Sequence, residues 1–154
     1  IILGVRKYRP ERSIDKDERS NLTRFSVLIP CRNEEERLQS LFQSIKELEY
    51  ETSCFQLIFI DDHSDDATHE MINSFQKEND RLNIKVLKND RSPGKKSALT
   101  CGIDRSEFEH IITTDADCYL PENWLHGYDQ HLKKKASSMV VGPVVYEQPK
   151  NFLE

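Results

Sequence analysis

Two carboxylates one residue apart, Asp115 and Asp117, follow a short run that is apolar up to Thr113. Leaving the end of a strand, such a pair can aim at one point. Hard oxygen ligands of this kind suit Mg²⁺ or Mn²⁺, with the remaining positions left for phosphate oxygens. The same pair also reads as turn and cap residues ahead of a helix opened by Pro121, and spacing alone does not separate the two. A second cluster, Asp61-Asp62-His63-Ser64-Asp65-Asp66, follows another apolar run. Adjacent side chains leave a strand on opposite faces, so Asp61 and Asp62 cannot serve the same structural purpose. Asp62, with Asp61 beside it, is expected to meet a ligand by accepting a base N–H or a ribose hydroxyl. An EF-hand is excluded, because Asp66 stands where the loop needs Gly. A zinc site is disfavoured, since His63 and His69 have no cysteine nearby. Ser64, Asp65 and Asp66 are expected to cap the helix that follows.

The third cluster is Ser92-Pro93-Gly94-Lys95-Lys96-Ser97. It fails the phosphate-loop pattern, because the first Gly would fall at Asn89 and Lys96 takes the Ser/Thr place. No G-x-G-x-x-G occurs either, which disfavours an ATPase and a nicotinamide-dependent dehydrogenase. Lys95 at a helix start opposes the helix dipole, a cost that an anionic ligand at the same N-terminus would offset. A solvated Lys-Lys pair on a loop is the plainer alternative.

Positioning these clusters takes alternating strands and helices, and the sequence supplies them from Phe25 onward. Phe25–Ile29 reads as a strand stopped by Pro30. Leu38, Leu41, Phe42, Ile45 and Leu48 form one stripe of a helix whose positive end carries Glu34, Glu35 and Glu36. Phe55–Ile60 is the second strand, and Ala67, Met71, Ile72 and Phe75 mark the second helix, with Asp65 or Asp66 as its N-cap. Ile84–Leu87 is the third strand, 89–94 a loop, and a short helix runs through Ala98, Leu99 and Ile103. Glu109–Thr114 is the fourth strand. A last helix carries Trp124, Leu125, Tyr128 and Leu132, and Met139–Val141 with Val144–Tyr146 supply a final strand broken at Gly142-Pro143. Every polar cluster thus lies after the carboxyl end of a strand, the edge where open α/β sheets bind ligands.

The chain has 154 residues, 36% hydrophobic and 32% charged, with five Gly and six Pro, an ordinary globular composition. The net charge of −5 offers no basic field for a phosphate backbone, so nucleic acid is excluded as an expected partner. Cys31, Cys54, Cys101 and Cys118 form no C-x-x-C pair and read as reduced thiols. Residues 1–21 read as a basic arm or linker and 22–154 as the domain. The arm opens on apolar Ile1-Ile2-Leu3-Gly4-Val5 and turns basic at Arg6, Lys7, Arg9 and Arg12. That order fits a segment leaving a bilayer on its cytoplasmic side or a simple floppy boundary, and it does not fit a signal peptide. No run of about 18 apolar residues is present.

In order and spacing, Ser26–Glu34, Ile60–Asp66, Gly94–Leu99 and Thr114–Asp117 with Pro121–Leu125 resemble the donor-binding half of family 2 inverting glycosyltransferases of the GT-A fold. The resemblance covers residues 25 to about 146 and implies a Rossmann-like α/β fold, a truncated, mostly parallel sheet with helices on both faces. It implies a nucleotide-diphospho-sugar donor, most often a UDP-sugar, a Mn²⁺ or Mg²⁺ cofactor, and a carbohydrate or lipid-linked acceptor. Pro30, Arg32, Asn33 and Glu34 would line the nucleoside pocket, with Asp61 beside it; Asp62 would contact the base and Lys95 would sit by the nucleotide. Asp115 would face the ribose or the metal, Ala116 would belong to the nucleotide-sugar site, and Asp117 would hold the cation. This requires Asp62 and Asp117 to face one cleft. The resemblance places the catalytic base beyond Glu154, so that this stretch alone would bind donor without transferring sugar. It also implies cell-envelope polysaccharide synthesis at the cytoplasmic face of a membrane. Two other classes are weighed against it. A nucleotidyltransferase or sugar-nucleotide pyrophosphorylase would carry a Gly-rich basic loop where Cys31–Glu36 is acidic. A receiver-like signalling domain would carry its acidic pair after the first strand, not the second.

Overall fold

A computed structural model describes residues 21–135 and 137–142. They form a four-stranded parallel sheet with helices on both faces, as the alternating pattern predicts. The strands are β1 (Phe25–Cys31), β2 (Phe55–Asp61), β3 (Ile84–Lys88) and β4 (His110–Thr113), in the order β3-β2-β1-β4. The helices are α1 (Leu38–Lys46), α2 (Thr68–Glu78), α3 (Lys95–Ile103) and α4 (Trp124–Lys134). β1 and β2 are buried almost throughout, which is why they read as unbroken apolar runs.

Strand alternation sorts the core. Phe25, Val27 and Ile29 of β1 and Phe55, Leu57 and Phe59 of β2 share one cluster with Leu38, Leu41, Ile72, Phe75 and Leu125 of α1, α2 and α4. Phe42 stacks on Phe75 with ring centroids 4.1 Å apart, joining α1 to α2. Leu28, Ile58 and Ile60 face the other way, against Ala98 and Cys101 of α3. Gly102 lets α3 approach closely: a Cβ there would stand 3.0 Å from Ile60 Cδ1. Beside this second cluster the buried Ser26 hydroxyl donates to Gln56 Oε1 at 2.8 Å and accepts the Phe108 N–H at 3.1 Å.

Several expectations are corrected. Pro30 does not stop β1, which continues to Cys31 in register with Asp61. The Leu28 carbonyl accepts the Thr114 N–H, so two residues on Pro30 faces the same side, and the pairing with β4 ends at Leu28. A proline there costs no ladder bond. Glu34, Glu35 and Glu36 precede α1 rather than forming its first turn; Arg37 and Leu38 both donate N–H groups to the Glu34 carbonyl in a tight turn. Pro121 likewise lies before α4, its carbonyl accepting the Trp124 N–H. Met139–Val141 is not a strand, and Met139 and Val141 are largely exposed. Val144–Tyr146 and residues 1–20 lie outside the described residues. The four cysteines are free. No helix among the described residues is long and apolar enough to cross a membrane.

Candidate functional site at the carboxyl edge of the sheet

Two loops leave the carboxyl ends of β1 and β2 side by side and are laced together. Asn33, at φ 55°, donates its N–H to Ser64 Oγ at 3.1 Å and accepts the Asp65 N–H on its side-chain oxygen at 2.8 Å. Asn tolerates this left-handed conformation because its short polar side chain can bond locally. The Glu34 N–H donates to Thr68 Oγ1 at 2.8 Å, and the Glu35 N–H to Asp66 Oδ2 at 3.2 Å. Glu35 answers by accepting the Ala67 N–H at 2.9 Å. Ser64 therefore braces the β1 loop instead of capping α2, and neither Asp65 nor Asp66 is the N-cap: that position is Ala67, with no side-chain cap bond, while Asp66 just before it accepts the Thr68 N–H at 3.0 Å. Glu34 also pairs with Arg37 at 3.0 Å. Arg32 and Asn33 are exposed, and Pro30 is half-buried.

The adjacent acids do part to opposite faces. Asp61 turns toward α2, accepting the Ser64 N–H at 3.1 Å and standing 3.4 Å from His69 Nδ1. Asp62, 4% exposed, turns toward α3. Its Oδ2 accepts the Gly94 N–H at 2.8 Å; its Oδ1 accepts Asn89 Nδ2 at 2.7 Å and lies 3.2 Å from His63 Nδ1. Burial raises the Asp62 carboxyl, but the bonds from Asn89, Gly94 and His63 outweigh it and hold the group below the usual carboxylate range. An ionised carboxylate offers about four acceptor positions. Two of these are taken on Oδ1 and one on Oδ2, so one position on Oδ2 has no protein donor.

Gly94, at φ 137°, adopts a backbone open to glycine and costly for other residues, and it delivers Lys95 to the start of α3. The α3 N-terminus has no acidic residue of its own in its first turn, and Lys95 reaches across to Asp115, Nζ to Oδ1 at 2.5 Å. Both side chains remain more than half exposed, at 60% and 54%. Ala116 is buried in the core and separates Asp115 from Asp117, which is exposed. The Arg37 guanidinium is held above its usual range chiefly by its hydrogen bond to Glu34 and more weakly by the charge of Asp117. Of the two carboxylates after β4, Asp115 pairs with Lys95, whereas Arg37 pairs with Glu34 and meets Asp117 only through charge at a distance.

Among the described residues no group of three His, Cys, Asp or Glu side chains could hold a metal ion by itself. Asp115 and Asp117 are exposed oxygen donors. That donor set fits a hard divalent ion only if most of its coordination comes from ligand oxygens and water, as Mg²⁺ sites with phosphate ligands are built. A hollow of about 220 Å³ opens at this edge, lined by Asn33, Glu35, Glu36, Arg37 and Asp66. Neither Asp62 nor Asp117 lines it, so this hollow is not the single cleft expected to hold both acids. What links the acid after β2 to the acid after β4 is instead the consecutive pair Gly94-Lys95.

Asn89 is the residue that sequence reasoning passed over. It follows β3, is 4% exposed, and uses its whole side chain. Nδ2 donates to Asp62 and to the Ser92 carbonyl at 3.2 Å; Oδ1 accepts the Arg91 N–H at 3.2 Å and the Ser97 hydroxyl at 3.3 Å. Its own N–H donates to the Asp61 carbonyl at 2.8 Å. Its only signal in the sequence is a polar residue directly after a buried strand.

Known proteins share this arrangement of elements. Solved structures superpose with 22% identity: S. aureus TarS 1-349, at a TM-score of 0.65 over 73% of this chain and 33% of that one, and a mannosyltransferase from Pyrobaculum calidifontis in complex with GDP-Man and Mn²⁺, at 0.64 over 68% and 31%. These establish the GT-A fold. Similar curated proteins include glycosyltransferase AglE of Haloferax volcanii, 28% identical over 84% of this chain and 42% of that protein. Poly-beta-1,6-N-acetyl-D-glucosamine synthase of Staphylococcus epidermidis is 32% identical over 70% and 25%. Beta-monoglucosyldiacylglycerol synthase of Trichormus variabilis is 28% identical over 97% and 32%. The chain therefore spans less than half the length of these relatives. The family model described as glycosyl transferase family 2 matches residues 26–154, and with four parallel strands presenting their polar clusters at one edge, the chain belongs to glycosyl transferase family 2.

Proposed function

We propose that this chain is the nucleotide-sugar-binding part of an inverting, metal-dependent glycosyltransferase whose donor is a UDP-sugar. The observation that carries the reading is the continuous connection across the carboxyl edge, Asp62 to Gly94 and Lys95 to Asp115. It joins a buried acceptor suited to a base N–H to a cation and two acids suited to a metal-bound diphosphate. The laced loops after β1 and β2 give the nucleoside a rigid wall from Pro30 to Glu34, with Asp61 behind it. TarS complexes with UDP and with UDP-GlcNAc, and the mannosyltransferase complex with GDP-Man and Mn²⁺, support donor binding by this fold.

Asp117 and Asp115 would hold Mn²⁺ or Mg²⁺, and Ala116, packed in the core, fixes the backbone between them. The cation, when bound, supplies positive charge against the leaving diphosphate. Lys95 adds a second cation at the N-terminus of α3, where an anion is favoured. The reaction is a single displacement: the acceptor hydroxyl oxygen forms a bond to the anomeric carbon as the bond to the diphosphate oxygen breaks, so configuration inverts. A carboxylate beyond Glu154 is the proposed base for the hydroxyl proton. The acceptor is a carbohydrate or a lipid-linked sugar, and the work is cell-envelope polysaccharide synthesis at the cytoplasmic face of a membrane.

The test is the melting temperature of the chain with UDP and Mn²⁺. It is expected to rise in the parent, and to rise with UDP alone or not at all in Asp117→Ala. A parent whose melting curve is the same with and without the nucleotide refutes the reading.

A further inference from the structure

We infer that Asn89 is a positioning residue for nucleotide recognition: it holds Asp62 and the Ser92–Gly94 turn in one arrangement, so that a single Asp62 acceptor faces the ligand. The inference rests on the proposed nucleotide site. Three observations carry it. The side chain is buried, and each of its four hydrogen-bonding valences is used. The partners fix its orientation, since a carboxylate and a carbonyl can only accept while the Arg91 N–H can only donate, so the amide cannot flip without losing three bonds. And these bonds reach the site from both directions: Nδ2 to Asp62 itself, and through Ser92 and Ser97 to both flanks of Gly94, whose N–H occupies the second Asp62 oxygen.

The consequence is geometric. Asn89 and Gly94 take one donor bond on each Asp62 oxygen, and His63 stands at the first, which leaves the free acceptor position on Oδ2. Without Asn89 the carboxylate can rotate about its last bond and satisfy itself elsewhere, while Lys95 keeps its own pairing with Asp115. Asn89 itself is covered by these partners and touches no ligand; it acts through Asp62.

The experiment is a binding cycle on the full chain. Affinity for UDP with Mn²⁺ is measured calorimetrically for the parent, Asn89→Ala, Asp62→Ala and the double variant, with folding checked by circular dichroism. Asn89→Ser, which keeps a hydroxyl for the loop but cannot reach Asp62, is the second variant in case Asn89→Ala does not fold. Asn89→Ala is expected to weaken UDP about tenfold, the size of one lost bond to a charged group. The double variant should bind no more weakly than Asp62→Ala alone. Inorganic pyrophosphate with Mn²⁺, which lacks the nucleoside, should bind parent and Asn89 variants alike. Losses that multiply in the double variant, or equal losses for UDP and pyrophosphate, overturn the inference. A parent that binds no UDP at all refutes the proposed function instead.

Discussion

Replacing Asp62 by Asn changes one oxygen for an NH₂ group and leaves the shape of the side chain, so it isolates what the carboxylate does for the fold. The parent Asp62 accepts from Asn89 Nδ2 and from the Gly94 N–H, one on each oxygen. An amide has only one acceptor atom. In either orientation its NH₂ group faces one of those two donors, and a buried donor is left without a partner. Such a group costs about 1–3 kcal/mol, and more when the lost acceptor was charged. Asp62 is 4% exposed, so solvent does little to soften the loss. Urea unfolding at pH 7 should therefore place Asp62→Asn about 2 kcal/mol below the parent. The pH dependence fixes the sign. The folded carboxyl is held below its unfolded range, so its contribution is complete above the unfolded pKa, about 3.9, and is lost as pH falls through the folded value. Parent and variant should thus differ at pH 7 and draw together below pH 4. Equal urea midpoints at pH 7, or a gap that widens on acidification, would refute the assignment of Asp62 as an ionised acceptor between the two loops.

Two further outcomes follow from the same geometry. Lys95→Met removes the cation that neutralises Asp115; because that pair is exposed and worth at most about 1 kcal/mol, Mn²⁺ alone should bind up to about fivefold more tightly while UDP binds more weakly, as read by manganese electron paramagnetic resonance and calorimetry. Gly102→Val drives side-chain atoms into Ile60 and Leu28, already 3.0 and 3.2 Å from the position of a Cβ, and should lower stability by about 1–3 kcal/mol in urea unfolding; an unchanged midpoint would mean that α3 does not seat on β1 and β2 as described.

The order of elements was legible in the sequence because burial on both faces leaves a signature that needs no partner. β1 and β2 are apolar at nearly every position, and the stripe of Leu38, Leu41, Phe42 and Ile45 has the period of a helix. The parting of Asp61 and Asp62 was legible too, since strand alternation alone forces it. Element ends were less so. Whether Pro30 ends a strand depends on whether its missing N–H would have met a neighbour, and that is decided by how far β4 extends, 80 residues away in the chain. Met139–Val141, exposed at both ends, has the composition of a strand but no strand pairing among the described residues.

At the site, residue order already dictates which types gather at one edge: acids after β2 and β4, and a lysine at the start of α3. Chain order and the parallel sheet put them there whatever their side chains do. Tertiary structure alone decided how they are connected. Asn89, an unremarked loop residue in the sequence, is the hub between Asp62 and the turn at Gly94. Asp129, on the buried side of α4, anchors the segment that leads into β1 by accepting the Thr23 N–H at 2.9 Å and its hydroxyl at 2.7 Å. Glu35 bonds the β2 loop instead of the helix beside it. Each of these depends on a hydrogen bond between residues far apart in sequence, Asn89 with Asp62, Asp129 with Thr23 and Glu35 with Ala67. Such a bond leaves no periodicity for its residue types to show, because it exists only once the sheet has set the two loops side by side.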